Sequence, residues 1–341
     1  MTDTSRKQEF NEIRYLLKAI EGPNSAAVER VRQREGQLTK PPGSLGRLET
    51  IVEWLAAWQA GGPPKLDHML VCVFAGNHGV TRQAVSPYPS EVTHQMVANF
   101  AAGGAAINQI CMTFGLDLKV LELALDRPTE DFTAAAAMSP QDCVEAVEFG
   151  MRAVPAGLDL LCLGEMGIGN TTSAAAIYTA LFGGPANLWA GRGTGLDDAG
   201  VARKAAVIDQ AIALHRDHLD DPLEVLRRLG GREIAALAGA ILAARLNRVP
   251  VVLDGYVVTA AAAVLHALDQ SALDHCIAGH VSAEGAHSAV LQRLGKEPLL
   301  QLGMRLGEAS GAAMAAGTIK AALACHRGMA TFAEAGVTDK E

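Results

Sequence analysis

Residues 158–176, LDLLCLGEMGIGNTTSAAA, decide how the chain is read. The apolar run 158–163 has the length and character of a buried strand. Gly164 and Glu165 close it, a loop with Gly167 and Gly169 follows, and Asn170, Thr171, Thr172 and Ser173 open an alanine-rich helix. Strand, glycine loop and helix N-terminus in that order form an anion site. Glycines admit a phosphate to the backbone, and the unpaired N–H groups of the first helical turn point at it. Glu165 falls at the carboxyl end of the strand, where open parallel sheets place ligand chemistry. A tight turn with an ordinary N-cap has the same local pattern, so the loop alone does not decide.

Outward from this stretch the chain alternates. Strands are expected at 69–75, 118–125, 187–190, 250–253 and 275–278, and helices at 91–114, 140–151, 198–215, 231–246 and after Gly255. The alternation argues for an α/β fold, a Rossmann-like parallel sheet covered by helices on both faces. Residues 6–36 read as one or two helices broken at Gly22-Pro23-Asn24-Ser25, with Ser25 as N-cap. Pro41, Pro42 and Gly43 make 40–46 irregular, and helical spacing resumes at Leu48. Gly61-Gly62-Pro63-Pro64 marks a boundary. A smaller helical domain is therefore expected from 1–62 with about 305–335, beside a large sheet domain at 63–304 and a disordered tail at 336–341.

Composition narrows the function. A net charge of −8 without a basic run argues against nucleic acid as a partner. The six cysteines form no C-x-x-C pair, and Cys72, Cys162 and Cys276 fall in apolar runs as small core residues. A reduced, cytoplasmic protein without disulfides is expected. The polar N-terminus is not a signal peptide, and no apolar run approaches a membrane span.

Several expected strands end in glycine plus a polar residue: Asn77-His78, Glu165, Arg192, Asp254 and His280. In a parallel sheet these ends gather on one edge and form one cleft. The loops GEMGIGNTT and GRGTG (191–195) can there hold a phosphate and a ribose, with Arg192 or Lys204 as counter-charge. By position alone Lys204 reads as a solvated helix residue, and Asp197-Asp198 as a helix cap. In MRLGEASGAAMA (304–315) Glu308 begins an apolar, small-residue helix. It reads equally as a cap or as a base whose pKa is raised by apolar surroundings. In VSPYPSEVTHQM (85–96) Ser86, Tyr88 and Gln95 can bind a flat heterocycle; an ordinary helix entry capped by Ser90 explains each singly. His280, Glu284 and His287 stand at i, i+4 and i+7, but this is no zinc signature and Gly285 weakens a helix there, so no metal is assigned. His215 and His218, beside Asp217 and Asp220, read as a solvated face.

Taken together, KPPGSLGRLE, AGNHGV, VSPYPSEVT, GEMGIGNTTSAAA, GRGTGLDDAGVARK, VVLDGY, GHVSAEGA and MRLGEASGAA resemble the nicotinate-nucleotide–dimethylbenzimidazole phosphoribosyltransferase family, which assembles the lower ligand of cobalamin. The resemblance runs from about Lys40 to Ala316. It implies a homodimer that converts nicotinate mononucleotide and 5,6-dimethylbenzimidazole into α-ribazole 5′-phosphate and nicotinate, without a cofactor. It implies Glu308 as catalytic base and Glu165 as an acid at the nucleotide site. Gly167, Gly169, Asn170, Thr171, Gly191, Arg192, Gly193 and Lys204 fall to the nucleotide, and Ser86, Tyr88, Gln95 and Leu306 to the benzimidazole pocket. Asn77, which replaces an aspartate of some members, joins His78, Asp254 and His280 as further cleft candidates. A substrate with a single phosphate offers no diphosphate for magnesium to bridge. Transfer to another azole or purine, and a non-catalytic nucleotide sensor that would not need Glu308, are the competing readings. A metal-dependent hydrolase using His280 and His287 ranks behind both.

Overall fold

The computed structural model describes residues 10–338; residues 6–9 of the first expected helix and 339–341 of the expected tail lie outside them. Three helices come first: α1 (Asn11–Lys18), α2 (Ser25–Glu35) and α3 (Arg47–Trp58). The cap of α2 is Asn24 rather than Ser25: the Asn24 side chain accepts from the Ala27 amide, and Ser25 is already helical. Between α2 and α3 the KPPGSLGRLE string forms a clasp. Lys40, buried, pairs with Glu35 at 3.0 Å and Glu49 at 2.7 Å, and Glu49 also accepts from the Leu45 amide.

The sheet has six parallel strands in the order β2-β1-β3-β4-β5-β6. These are β1 (Met69–Ala75), β2 (Asp117–Glu122), β3 (Leu160–Met166), β4 (Val251–Leu253), β5 (Cys276–His280) and β6 (Pro298–Leu300). Between β1 and β2 lie α4 (Glu91–Ala101) and α5 (Ala106–Phe114). The single helix expected over 91–114 is broken because Gly103 turns left-handed at φ 77°. Next come α6 (Pro140–Arg152), then α7 (Asn170–Phe182), α8 (Asp198–His215), α9 (Pro222–Leu229) and α10 (Arg232–Leu246) between β3 and β4. The chain continues through α11 (Tyr256–Leu268), α12 (His287–Arg293), α13 (Ser310–Gly328) and α14 (Phe332–Ala335). The strand expected at 187–190 is instead a 3-10 turn, Ala186–Leu188. Trp189 is pinned there by Nε1 donation to the Gly183 carbonyl and by the Tyr256 hydroxyl on its own carbonyl. His215, expected on a solvated face, is buried with Nε2 on the Phe132 carbonyl, while His218 is exposed.

Strand periodicity divides the core in two. Leu70, Cys72, Phe74, Leu161, Leu163, Val251 and Leu253 face one apolar cluster, closed by α6, α7, α10 and α11. Val71, Val73, Leu160, Cys162 and Val252 face the other, closed by α2, α3, α5 and α13. α2, α3 and α13 thus share an apolar layer with β1, β3 and β4, whereas Ile13 and Leu17 of α1 join the first cluster. Helices approach unusually closely where side chains are absent. A Cβ on Gly150 of α6 would overlap the Ala236 carbonyl of α10, and one on Gly239 the Val147 carbonyl. Cys72, Cys162 and Cys276 are buried core residues, as expected. No helix among the described residues is long and apolar enough to cross a membrane. At the C-terminal end Gly336 closes α14 in a left-handed turn, and the Val337 amide donates to Phe332.

Candidate active site

Glu165 leaves the end of β3 into a cleft whose walls include Asn170, Thr171, Gly193, Tyr256, His280, Glu284, Arg305 and Leu306. The expected convergence of strand ends therefore occurs at β3 and β5. At the others the polar residue lies beneath the cleft or beside it. Asn77 is buried and donates to the Leu125 carbonyl. His78 is buried between Glu233, 2.6 Å from Nε2, and the Ser173 hydroxyl, 3.0 Å from Nδ1. Asp254, also buried, accepts the Ala312 amide of α13 at 2.9 Å.

The glycine loop joins the end of β3 to the N-terminus of α7, the expected order of elements. Gly167 lines the cleft, and Gly169, at φ 93°, is the N-cap of α7 and supplies no side-chain acceptor. A second loop meets it from the side. Gly191 and Arg192 border an adjoining depression together with Glu284 and Arg305. Arg192 is spent on Asp198 at 2.5 Å and on the Leu196 carbonyl, near the surface. Asp197 caps α8 through the Gly200 amide, as its position suggested.

Lys204 corrects the positional reading. It is 1% exposed, and its Nζ donates to the Thr171 hydroxyl and the Gly191 carbonyl, both at 3.1 Å. The ammonium thus staples the two glycine loops together from beneath. Burial pushes its pKa down to about 8, opposed by the charge of Glu284. Arg305 adds a second cation, with Nη1 on the Gly193 carbonyl at 3.0 Å.

Three acids crowd the edge of the sheet. Glu165 is pushed up to about 8 by burial and by the nearby charges of Asp254, Glu233 and Glu308, while the Asn170 amide on its carboxylate opposes the shift. Asp254 rises to about 7 through burial, held back by the amides of Ala312, Gly311 and Ala309. Glu308 rises to about 7 through burial alone. Its amide donates to the Glu165 carbonyl at 3.2 Å, and its carboxylate makes no hydrogen bond among the described residues. It is therefore neither a helix cap nor an ion-pair member; α13 starts two residues later.

The expected acceptor wall is more open. Ser86 hydrogen-bonds the Thr194 hydroxyl at 3.1 Å, which places it on the cleft rim. Leu306 lines the cleft and is 56% exposed; Tyr88 is 51% exposed and, like the exposed Gln95, does not line it. The helix face imagined for His280, Glu284 and His287 does not form, because β5 ends at His280 and α12 begins at His287. The His287 Nδ1 accepts the Ser282 amide at 2.8 Å, and burial lowers both imidazoles, His280 to about 4 and His287 to about 3. Glu284, Arg305, Tyr256 and Thr194 are site residues that sequence reasoning did not assign. All four lie inside quoted motifs, GHVSAEGA, MRLGEASGAA, VVLDGY and GRGTG, and Glu284 was also weighed as a metal ligand beside His280 and His287.

A family model described as phosphoribosyltransferase matches residues 20–337. The nicotinate-nucleotide–dimethylbenzimidazole phosphoribosyltransferase of Rhizobium meliloti (strain 1021) is 62% identical over 332 residues, 97% of this chain and 98% of that protein. The protein of that name from Sinorhizobium fredii (strain NBRC 101917 / NGR234) is also 62% identical, over the same shares of the two chains. The crystal structure of CobT from Thermus thermophilus superposes with a TM-score of 0.85 at 40% identity, covering 92% of this chain and 100% of that one. With a sheet, a glycine-loop cleft and an unpaired buried glutamate built from the motifs that carry this likeness, the chain belongs to the nicotinate-nucleotide–dimethylbenzimidazole phosphoribosyltransferase family.

Proposed function

We propose that this chain transfers the phosphoribosyl group of nicotinate mononucleotide to 5,6-dimethylbenzimidazole, in the synthesis of cobalamin's lower ligand. One ring nitrogen of dimethylbenzimidazole attacks C1′ of the ribose. The bond from C1′ to the pyridinium nitrogen breaks, and its electron pair discharges that nitrogen, so nicotinate leaves as a neutral ring. The second benzimidazole nitrogen gives its proton to Glu308. Attack from the face opposite nicotinate inverts C1′ and gives the α-riboside.

The observation that carries this reading is Glu308: a buried carboxylate, unpaired, with a pKa near 7, docked on the end of β3 beside Glu165. A general base works best when its pKa lies near the working pH. In the same reading the phosphate rests at the N-terminus of α7, with Lys204 and Arg305 fixing the loops around it. Glu165, protonated near neutral pH, donates a hydrogen bond to the nucleotide rather than competing for the proton. Leaving-group departure and attack need alignment more than further chemistry, so positioning supplies most of the rate. The protein is taken to work as a homodimer in the cytoplasm. Leu306, on the cleft wall and 56% exposed, leaves that side open for a second copy to cover.

The test is incubation with nicotinate mononucleotide and dimethylbenzimidazole in the presence of a chelator, beside a Glu308→Gln variant. Nicotinate release and the anomeric form of the product are followed by NMR. α-Riboside from the wild type alone supports the reading. No product from the folded wild type sinks it and turns attention to other azole or purine acceptors.

A further inference from the structure

The backbone at the base adopts a conformation that its residues resist. Gly307, Glu308 and Ala309 are consecutive left-handed residues at φ 83°, 61° and 62°. Glycine adopts this region freely; Glu308 and Ala309 each carry a Cβ that disfavours it. Such strain persists only where surrounding groups over-determine it. Ser310 closes the turn locally, its amide and hydroxyl both donating to the Gly307 carbonyl at 3.0 and 2.7 Å, but the next amides of the helix that follows have no such local partner. Its N-cap is Ala309, which has no side-chain acceptor, and Ala309, Ser310 and Ala312 are all buried away from water. Amides of a first helical turn in such a place need an acceptor from elsewhere.

Asp254 is that acceptor. It stands at the end of β4, 1% exposed, with Oδ1 2.9 Å from the Ala312 nitrogen. The Gly311 and Ala309 amides also favour its charge, and the neutral His280 imidazole lies with Nε2 3.5 Å from the same oxygen. A carboxylate on the sheet thus takes the place of the missing cap. We infer that Asp254 is the positioning residue for the base: by seizing the first turn of α13 it holds Glu308 and Ala309 left-handed and keeps the Glu308 carboxylate at the cleft edge. Asp254 itself is not among the residues that line the cleft.

The inference rests on Glu308 being the base, so Glu308→Gln is measured alongside. Asp254→Asn keeps the shape but removes the charge that the Ala312, Gly311 and Ala309 amides favour, and leaves one carbonyl oxygen as the acceptor. The expected result is a fall in kcat of about 100-fold, the scale of a 1 Å misplacement, with both KM values within about twofold of wild type. Adding Ala309→Gly, which makes φ near 60° acceptable without restraint, is expected to restore about tenfold of the lost kcat. A role confined to folding would not give that rescue, nor would a role for Asp254 in taking the proton. Wild-type kcat in folded Asp254→Asn, or a double variant no faster than the single one, overturns the inference. If Glu308→Gln is fully active, the base assignment fails instead, and the two failures are distinguishable.

Discussion

The most demanding test of the site is a single methyl group at Gly164. This glycine lies within β3, one residue before Glu165, directly under the turn that carries Glu308. A Cβ placed there would sit 2.5 Å from both Cα and Cβ of Ala309, whereas ordinary contact begins near 3.4 Å. Backbone is the obstacle, so no rotamer change relieves it. The turn must lift off the strand by roughly 1 Å, and misplacement on that scale costs on the order of 100-fold in rate. Overpacking a core in this way also destabilises by about 1–3 kcal/mol. Gly150→Ala is the matched control: its Cβ would overlap the Ala236 carbonyl in the α6–α10 contact, away from the cleft. Both variants are expected to melt earlier. Only Gly164→Ala should lose kcat per folded molecule, measured by nicotinate release with the folded fraction fixed by calorimetry. If Gly164→Ala keeps wild-type kcat, or if both variants lose activity in proportion to stability, then the Glu308 turn is not what sets the rate.

Three further outcomes follow from the charges. Glu308 must be ionised to accept a proton and its pKa is raised to about 7, so kcat should fall about tenfold per unit as pH drops below 7; a flat profile down to pH 5.5 would assign the proton elsewhere. Glu165 is raised to about 8 in the fold, so its neutral form favours the native state, and that contribution is full below the unfolded value near 4.5 and is lost as pH rises towards 8. The melting temperature of Glu165→Gln should therefore gain on wild type between pH 5 and pH 8 in parallel thermal scans; a constant difference contradicts the shift. Lys204→Met removes the ammonium beneath both glycine loops, and the KM for nicotinate mononucleotide should rise about 10- to 100-fold while the KM for dimethylbenzimidazole stays put; an unchanged nucleotide KM would leave Lys204 with a structural role only.

β1, β3, β4 and β5 were legible because they are short apolar runs with glycine in or just past their last residues, and β1 coincides with its expected bounds; β2 alternates charged and apolar residues and ends at Glu122, short of the expected Leu125. Reading failed where three-dimensional neighbours decide. Leu188 and Trp189 look like strand residues, yet tertiary hydrogen bonds to Gly183 and Tyr256 curl that segment. β6 is three half-buried residues beginning with proline, too short to leave a period in the sequence. Lys204 sits at a helical position that local pattern assigns to solvent, and only the convergence of residues 171 and 191 on it makes it buried. Helical spacing also linked His280 to His287 across a segment that is not helical. For Glu308 the motif identified the residue, but its freedom from partners depends on packing by α13, which no linear pattern records.

The contact of α13 with the sheet has a further consequence. Gly164 of β3 abuts Ala309, Gly279 of β5 abuts Ala312, and the Cys162 thiol donates to the Ala312 carbonyl. Main chain therefore rests on main chain where the Glu308 end of the cleft meets β3 and β5. On the side proposed for the acceptor, Ser86 stands at the rim, and Tyr88 and Gln95 are exposed side chains outside the cleft. If these side chains choose the incoming ring, as proposed, a lineage or a designer can exchange them without disturbing the Glu308 turn. Divergence in acceptor preference is the change this architecture tolerates most readily.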